Sequence, residues 1–151
     1  MGTWIQLDVK LKNWIANYIP DPHITLAYLT NEDHLSQVDE EGLMGIVLEF
    51  ARNLPTDIAI GPNKIERFSK FVTVLLVNVE PDLVHMRHRL IDKLKSDAYP
   101  VDERYLWTPH ITTSTTGIVV DYNSIPKPKI EVTGVSLHIG SDVITYTKES
   151  K

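Results

Sequence analysis

The chain contains no cysteine in its 151 residues. Disulfide frameworks, thiolate nucleophiles and cysteine-based zinc sites are thereby excluded, and the absence fits a reducing compartment. No apolar run reaches transmembrane length, and no basic segment followed by a long apolar stretch stands near the start. Met1-Gly2-Thr3 could open a myristoylation signal, but Gln6 occupies the position where that signal needs Ser or Thr. Basic excess is missing too: 15 Lys and Arg face 20 Asp and Glu, for a net charge of −5. A protein that grips long duplex nucleic acid normally carries a positive footprint, because affinity comes from neutralising phosphates. A small phosphorylated ligand needs only a few local donors and stays compatible with this balance. The expectation is one soluble cytoplasmic domain spanning residues 1–151, with no membrane contact.

What is present is ordinary for a globular domain: 42% hydrophobic and 23% charged residues, enough for one core. The unusual element is a repeat. His23-Ile24-Thr25-Leu26 and His110-Ile111-Thr112-Thr113 are near copies, one in each half, preceded by Pro22 and Pro109. Along a strand, His and Thr two positions apart share a face, while the isoleucine between them points the other way. Each proline biases its predecessor towards extended backbone, so both motifs are entered stretched out.

Hydrophobic patterning predicts strands at Thr3–Val9 and His23–Leu29, with Trp14–Ile19 a further apolar and aromatic stretch. A helix is then expected, capped by Thr30 or Asn31, with Leu35, Val38, Leu43, Ile46, Val47, Phe50 and Leu54 as its stripe. Gly42 and Gly45 weaken its middle and suggest a break, and Pro55 ends it. Short strands are expected at Ile58–Ile60 and Lys64–Phe68, and a central strand covered on both faces at Phe71–Val79. Pro81 opens a second helix burying Leu83, Met86, Leu90, Ile91 and Leu94. Tyr99–Trp107 reads as irregular, His110–Thr115 as the second motif strand, and Ser124–Lys129 as a proline-rich connector. The chain ends in a hairpin, Ile130–Ile139 and Val143–Thr147, turning at Gly140-Ser141-Asp142. This is an α+β pattern with mostly antiparallel pairing and two main helices. The internal echo suggests two lobes around a central cleft.

Two imidazoles and two hydroxyls facing one cleft suit acid–base chemistry on a phosphodiester. A neutral imidazole takes a proton from the attacking oxygen, and a protonated one gives a proton to the leaving oxygen. Imidazole serves both roles because its ordinary pKa, about 6.5, lies near working pH. The hydroxyls of Thr25 and Thr112 can bind the nonbridging oxygens as charge develops there. No metal or other cofactor is required.

The paired motifs resemble the two signatures of the 2H phosphoesterase superfamily, which includes RNA 2′,3′-cyclic phosphodiesterases, 2′,5′-RNA ligase-like proteins and phage enzymes. The resemblance covers essentially the whole chain. It implies a bilobal fold with pseudo-twofold symmetry and a catalytic set of His23, Thr25, His110 and Thr112. Thr113 departs from the pattern, which places a hydrophobic residue where Leu26 stands in the first motif; a local packing change is expected there.

The implied substrate is a small ribonucleotide phosphodiester: a 2′,3′-cyclic phosphate, an RNA end or a cyclic oligonucleotide. Compact size and acidic balance are also similar to phage members that degrade cyclic oligonucleotide signals of CBASS defence, which would act in the host cytoplasm. A nucleotide-binding module without turnover and an RNA-binding adaptor are the competing classes; the complete His and Thr set argues against the first and the net charge against the second.

Tyr18, Tyr28, Tyr105 and Trp107 flank the motifs and are candidates to stack on a base, with Trp107 the foremost. Lys64, Arg67 and Arg104 are candidate phosphate contacts. His85 and His88 share a helix face at metal-ligand spacing, but no further ligands accompany them, so a solvated face is expected. His34 and His138 receive no role.

Overall fold

The computed structural model describes residues 2–12, 21–55, 58, 60–69, 72–104, 106–114 and 129–147. Four strands, β1 (Thr3–Lys12), β2 (His23–Thr30), β6 (Lys129–Ile139) and β7 (Asp142–Thr147), form one antiparallel sheet in the order β2-β1-β6-β7. Three more, β3 (Pro62–Arg67), β4 (Thr73–Val77) and β5 (His110–Ser114), form a second in the order β3-β4-β5. Helices α1 (Gln37–Arg52) and α2 (Pro81–Ser96) complete the α+β architecture.

Alternation along β1 explains the layering. Ile5, Leu7 and Val9 are buried in the core, while Trp4, Gln6 and Asp8 point to the other face. The core face of the sheet is covered by α1, which packs on β6 and β7, while α2 packs on β2 and against α1. In α2 all five residues of the expected stripe are buried, and Pro81 stands at its first turn. Among the described residues no helix is long and apolar enough to cross a membrane.

The first helix differs from expectation. Thr30 is the last residue of β2, paired with Thr3, so it is not free to cap. Ser36 caps instead, its hydroxyl accepting from the Asp39 backbone N–H at 3.2 Å. Starting that late, the helix places Val38 in its exposed first turn. It also runs unbroken through both glycines. Gly42 is where the Tyr99 hydroxyl comes in, and a Cβ there would lie on that oxygen. Ile58 and Ile60 are not in a strand; pairing with β4 begins only at Pro62. The central strand is shorter than expected, and Val79 lies beyond it, exposed. Trp14–Ile19, Phe71, Thr115 and residues 124–128 lie outside the described residues.

Candidate active site

The two motif strands are edge strands of different sheets, and β2 and β5 lie beside one another where the sheets meet. Ile24 and Ile111 are completely buried, which leaves the flanking His and Thr of each motif on the opposite, accessible face. The core thus holds each strand by its isoleucine and presents the polar pair.

The motifs are matched in backbone detail. Pro22 and Pro109 each offer a carbonyl to the neighbouring strand, accepting from Val9 N–H and Val77 N–H, both at 3.1 Å. His23 Nδ1 lies 3.0 Å from the Asp21 carbonyl oxygen, and His110 Nδ1 lies 2.8 Å from the Thr108 carbonyl oxygen. A carbonyl has no proton to give, so both Nδ1 atoms carry hydrogen and donate. Each neutral ring therefore keeps its lone pair on Nε2. Asp21 adopts a left-handed backbone (φ 55°), which is tolerable for aspartate and turns its carbonyl towards the ring.

Each motif strand carries an extra residue at the same place, three positions after its histidine, and β2 steps register once more between Trp4–Tyr28 and Thr3–Thr30. In β2 the register steps from Gln6–Thr25 to Ile5–Ala27, leaving Leu26 unpaired. In β5 it steps from Val74–Thr112 to Thr73–Ser114, leaving Thr113 unpaired. Both are β-bulges, which free backbone groups that need other partners. The Leu26 carbonyl accepts from Arg87 Nε at 2.9 Å. At the second bulge the buried Thr113 hydroxyl donates to the Thr73 carbonyl at 3.1 Å. The departure at Thr113 is thus a packing change, with a polar side chain satisfied inside the sheet.

Of the other candidates, Trp107 is held firmly. Its Nε1–H donates to the Thr25 carbonyl at 3.0 Å, and the Arg87 guanidinium lies 4.6 Å from its ring centroid. The half-buried ring packs on the core and ties the approach to β5 onto β2. Burial lowers the Arg87 pKa, and Glu103 partly opposes this. Tyr28 lies half-buried on β2, its carbonyl accepting from Asp102 N–H at 2.8 Å. The Arg104 side chain makes a two-point contact with Asp102, at 3.0 and 2.8 Å. Lys64 and Arg67 are exposed on β3. Tyr18 and Tyr105 lie outside the described residues. His85 and His88 are exposed on α2, and no group of three or more possible metal ligands occurs among the described residues.

No family model matches the sequence, and no curated protein sequence does. Solved structures do. The PDE domain of MHV ns2 superposes with a TM-score of 0.57 at 14% identity, over 93% of this chain and 81% of that one. A second structure, described as a phosphoesterase, gives 0.52 at 15% identity, over 97% and 94%. The chain has the 2H phosphoesterase fold.

Two features of the cleft in this 2H phosphoesterase fold escaped the sequence reading. Phe68, 47% exposed, meets the His110 ring edge-on with centroids 4.8 Å apart. The polar face of the four-stranded sheet carries a hydrogen-bonded row: Trp4 Nε1–H to Gln6 Oε1 (2.9 Å), Gln6 Nε2–H to Asp8 Oδ1 (2.8 Å), and Ser136 Oγ–H to Asp8 Oδ2 (2.5 Å). Thr145 Oγ1 lies 2.9 Å from Ser136 Oγ. Asp8 pairs with His23 across β1 and β2, so this row runs up to the first motif.

His138, on the same face, stacks on Trp4 with centroids 4.3 Å apart. Burial lowers its pKa, the neighbouring His23 adds to the effect, and Asp8 and Asp21 oppose it. The unfolded chain therefore binds a proton here at higher pH than the folded one does. Stability is expected to fall as pH drops below the ordinary value of about 6.5. Urea melts of the protein and its His138→Gln variant between pH 5 and 8 check this, with a shallower fall in the variant.

Proposed function

We propose that the protein is a phosphodiesterase that cleaves a small ribonucleotide phosphodiester by general acid–base catalysis shared between His23 and His110. The matched Nδ1–carbonyl anchors carry this reading, because they leave both Nε2 atoms for proton transfer. One Nε2 takes the proton from water or a ribose 2′-hydroxyl as its oxygen bonds to phosphorus. The other, protonated, delivers its hydrogen to the oxygen whose bond to phosphorus breaks. Thr25 and Thr112 hold the nonbridging oxygens. Phe68 beside His110 is positioned to stack on a base. The fold shared with a PDE domain and a phosphoesterase supports the reaction class.

A panel of 2′,3′-cyclic mononucleotides, 2′,5′- and 3′,5′-linked oligonucleotides, and cyclic di- and trinucleotides, with products separated by chromatography, tests the proposal. Cleavage of at least one class is expected. Binding without turnover across the panel would favour a sensing module instead. Because one imidazole must be neutral and the other charged, kcat/KM is expected to be bell-shaped in pH and unchanged by excess EDTA. A flat profile from pH 5 to 9, or loss with EDTA restored by a divalent cation, would sink the two-histidine mechanism.

A further inference from the structure

A cavity of about 400 Å³ opens on the polar face of the four-stranded sheet, within the roughly 300–1,000 Å³ usual for small-molecule sites. Its walls include Gln6, Asp8, Asp21, Ser136, His138 and Thr145. Asp21 leads into the first motif and Asp8 pairs with His23, so the cavity adjoins that histidine. We propose that it seats a base on the His23 side of the phosphodiester, separate from a base stacked on Phe68 on the His110 side, and that it selects bases bearing an exocyclic amino group. This rests on the phosphodiesterase reading and names the part of the substrate that reading leaves open.

The direction of the hydrogen bonds carries the inference. Indole N–H can only donate, so Trp4 fixes Gln6 Oε1 as an acceptor and turns the Gln6 amide NH₂ towards Asp8. Ser136 spends its single hydroxyl proton on Asp8, so in the Ser136–Thr145 contact Thr145 must be the donor. Gln6 and Ser136 are each 3% exposed and serve to hold the row in place. What the row leaves for the more accessible Asp8 and Thr145 is lone pairs: carboxylate oxygens on one and a hydroxyl oxygen on the other. A ligand meeting this wall must donate.

Charge narrows the ligand further. Asp8 and Asp21 are both on the wall, and among the described residues no Lys or Arg lines the cavity. Phosphate is repelled from it and directed to the His and Thr pairs, while an uncharged base with N–H groups is accepted. His138 adds a flat ring fixed against Trp4, and its Nε2 is a buried polar atom with no partner among the described residues. An amino group offered to the spare lone pairs of Asp8 and Thr145 gains hydrogen bonds that an analogue lacking it cannot make, and is preferred to that analogue.

The test compares two substrate pairs as 2′,3′-cyclic phosphates: adenosine against purine riboside, which lacks the amino group, and cytidine against uridine, which has a carbonyl in its place. The wild-type protein is expected to prefer the amino-bearing member of at least one pair by tenfold or more in kcat/KM, mainly through KM. Asp8→Asn should reduce that preference to within about threefold. Thr145→Val, an exposed change on β7, gives up the bond to Ser136 Oγ but leaves the Trp4–Gln6–Asp8 and Ser136–Asp8 bonds in place, and should reduce it in part. Equal kcat/KM within both pairs for the wild-type protein overturns the base site while leaving the phosphodiesterase reading intact. If none of the four is cleaved, titration calorimetry with the corresponding 3′-monophosphates decides. A preference that Asp8→Asn abolishes upholds the base site alone, and equal affinities within both pairs overturn it.

Discussion

Alanine at position 23 or 110 is expected to slow turnover by roughly 10²- to 10⁴-fold, the usual worth of one positioned proton-transfer group. Both rings are only partly buried, so folding should suffer little. Asparagine gives the sharper comparison. Its amide nitrogen can reach the place of Nδ1 and keep the bond to the Asp21 or Thr108 carbonyl, but it has nothing at the place of Nε2. His23→Asn and His110→Asn should therefore be as inactive as the alanine variants. The double variant should be little worse than either single one, since the two groups act in one step. Single-turnover rates on whichever panel substrate is cleaved measure this. A His→Asn variant retaining a tenth or more of wild-type activity would show that proton transfer is not the ring's contribution.

Trp107→Ala is expected to produce the largest loss of stability of any aromatic change near the site, about 2–4 kcal/mol. Full truncation of a buried aromatic costs about 3–5 kcal/mol, and this ring is only half-buried. The change also strands the Thr25 carbonyl and removes the surface against which Arg87 lies. Trp107→Phe keeps the ring and loses the N–H, so about 1 kcal/mol should separate it from wild type. Phe68→Ala should behave in the opposite way, with nearly unchanged urea midpoint and KM raised about 5- to 100-fold, the worth of one stacked base. If Phe68→Ala destabilises and Trp107→Ala does not, the roles given to the two aromatics must be exchanged.

These two aromatics also show what the sequence made legible and what it did not. Trp107 is near the second motif in the chain, and proximity alone suggested stacking. Its indole N–H is taken by a carbonyl 82 residues away, which no local pattern reveals. Phe68, just after β3, reaches His110 because β3, β4 and β5 form one sheet. The motif strands, α2 and the terminal hairpin were legible because each carries its own periodicity and punctuation. The start of α1 was not. Thr30 and Asn31 are good caps in isolation, but strand pairing claims Thr30 first. The cleft wall was hidden for a related reason. Gln6, Asp8, Ser136, His138 and Thr145 come from both ends of the chain, and only the register of β1, β6 and β7 aligns them.

The paired bulges at Leu26 and Thr113 act as phase buffers. Side-chain direction in a strand normally passes unchanged from one end to the other, so a slip anywhere reverses every residue. An unpaired residue inserted after each His-x-Thr breaks that dependence. In β2 alternation restarts beyond Leu26, where Ala27 packs inward, and Leu29, at a second register step, packs inward as well, regardless of how the histidine end is set. The first motif is thereby insulated from errors and substitutions in the rest of β2. The reactive end can keep its aim while the distal end follows the needs of the core.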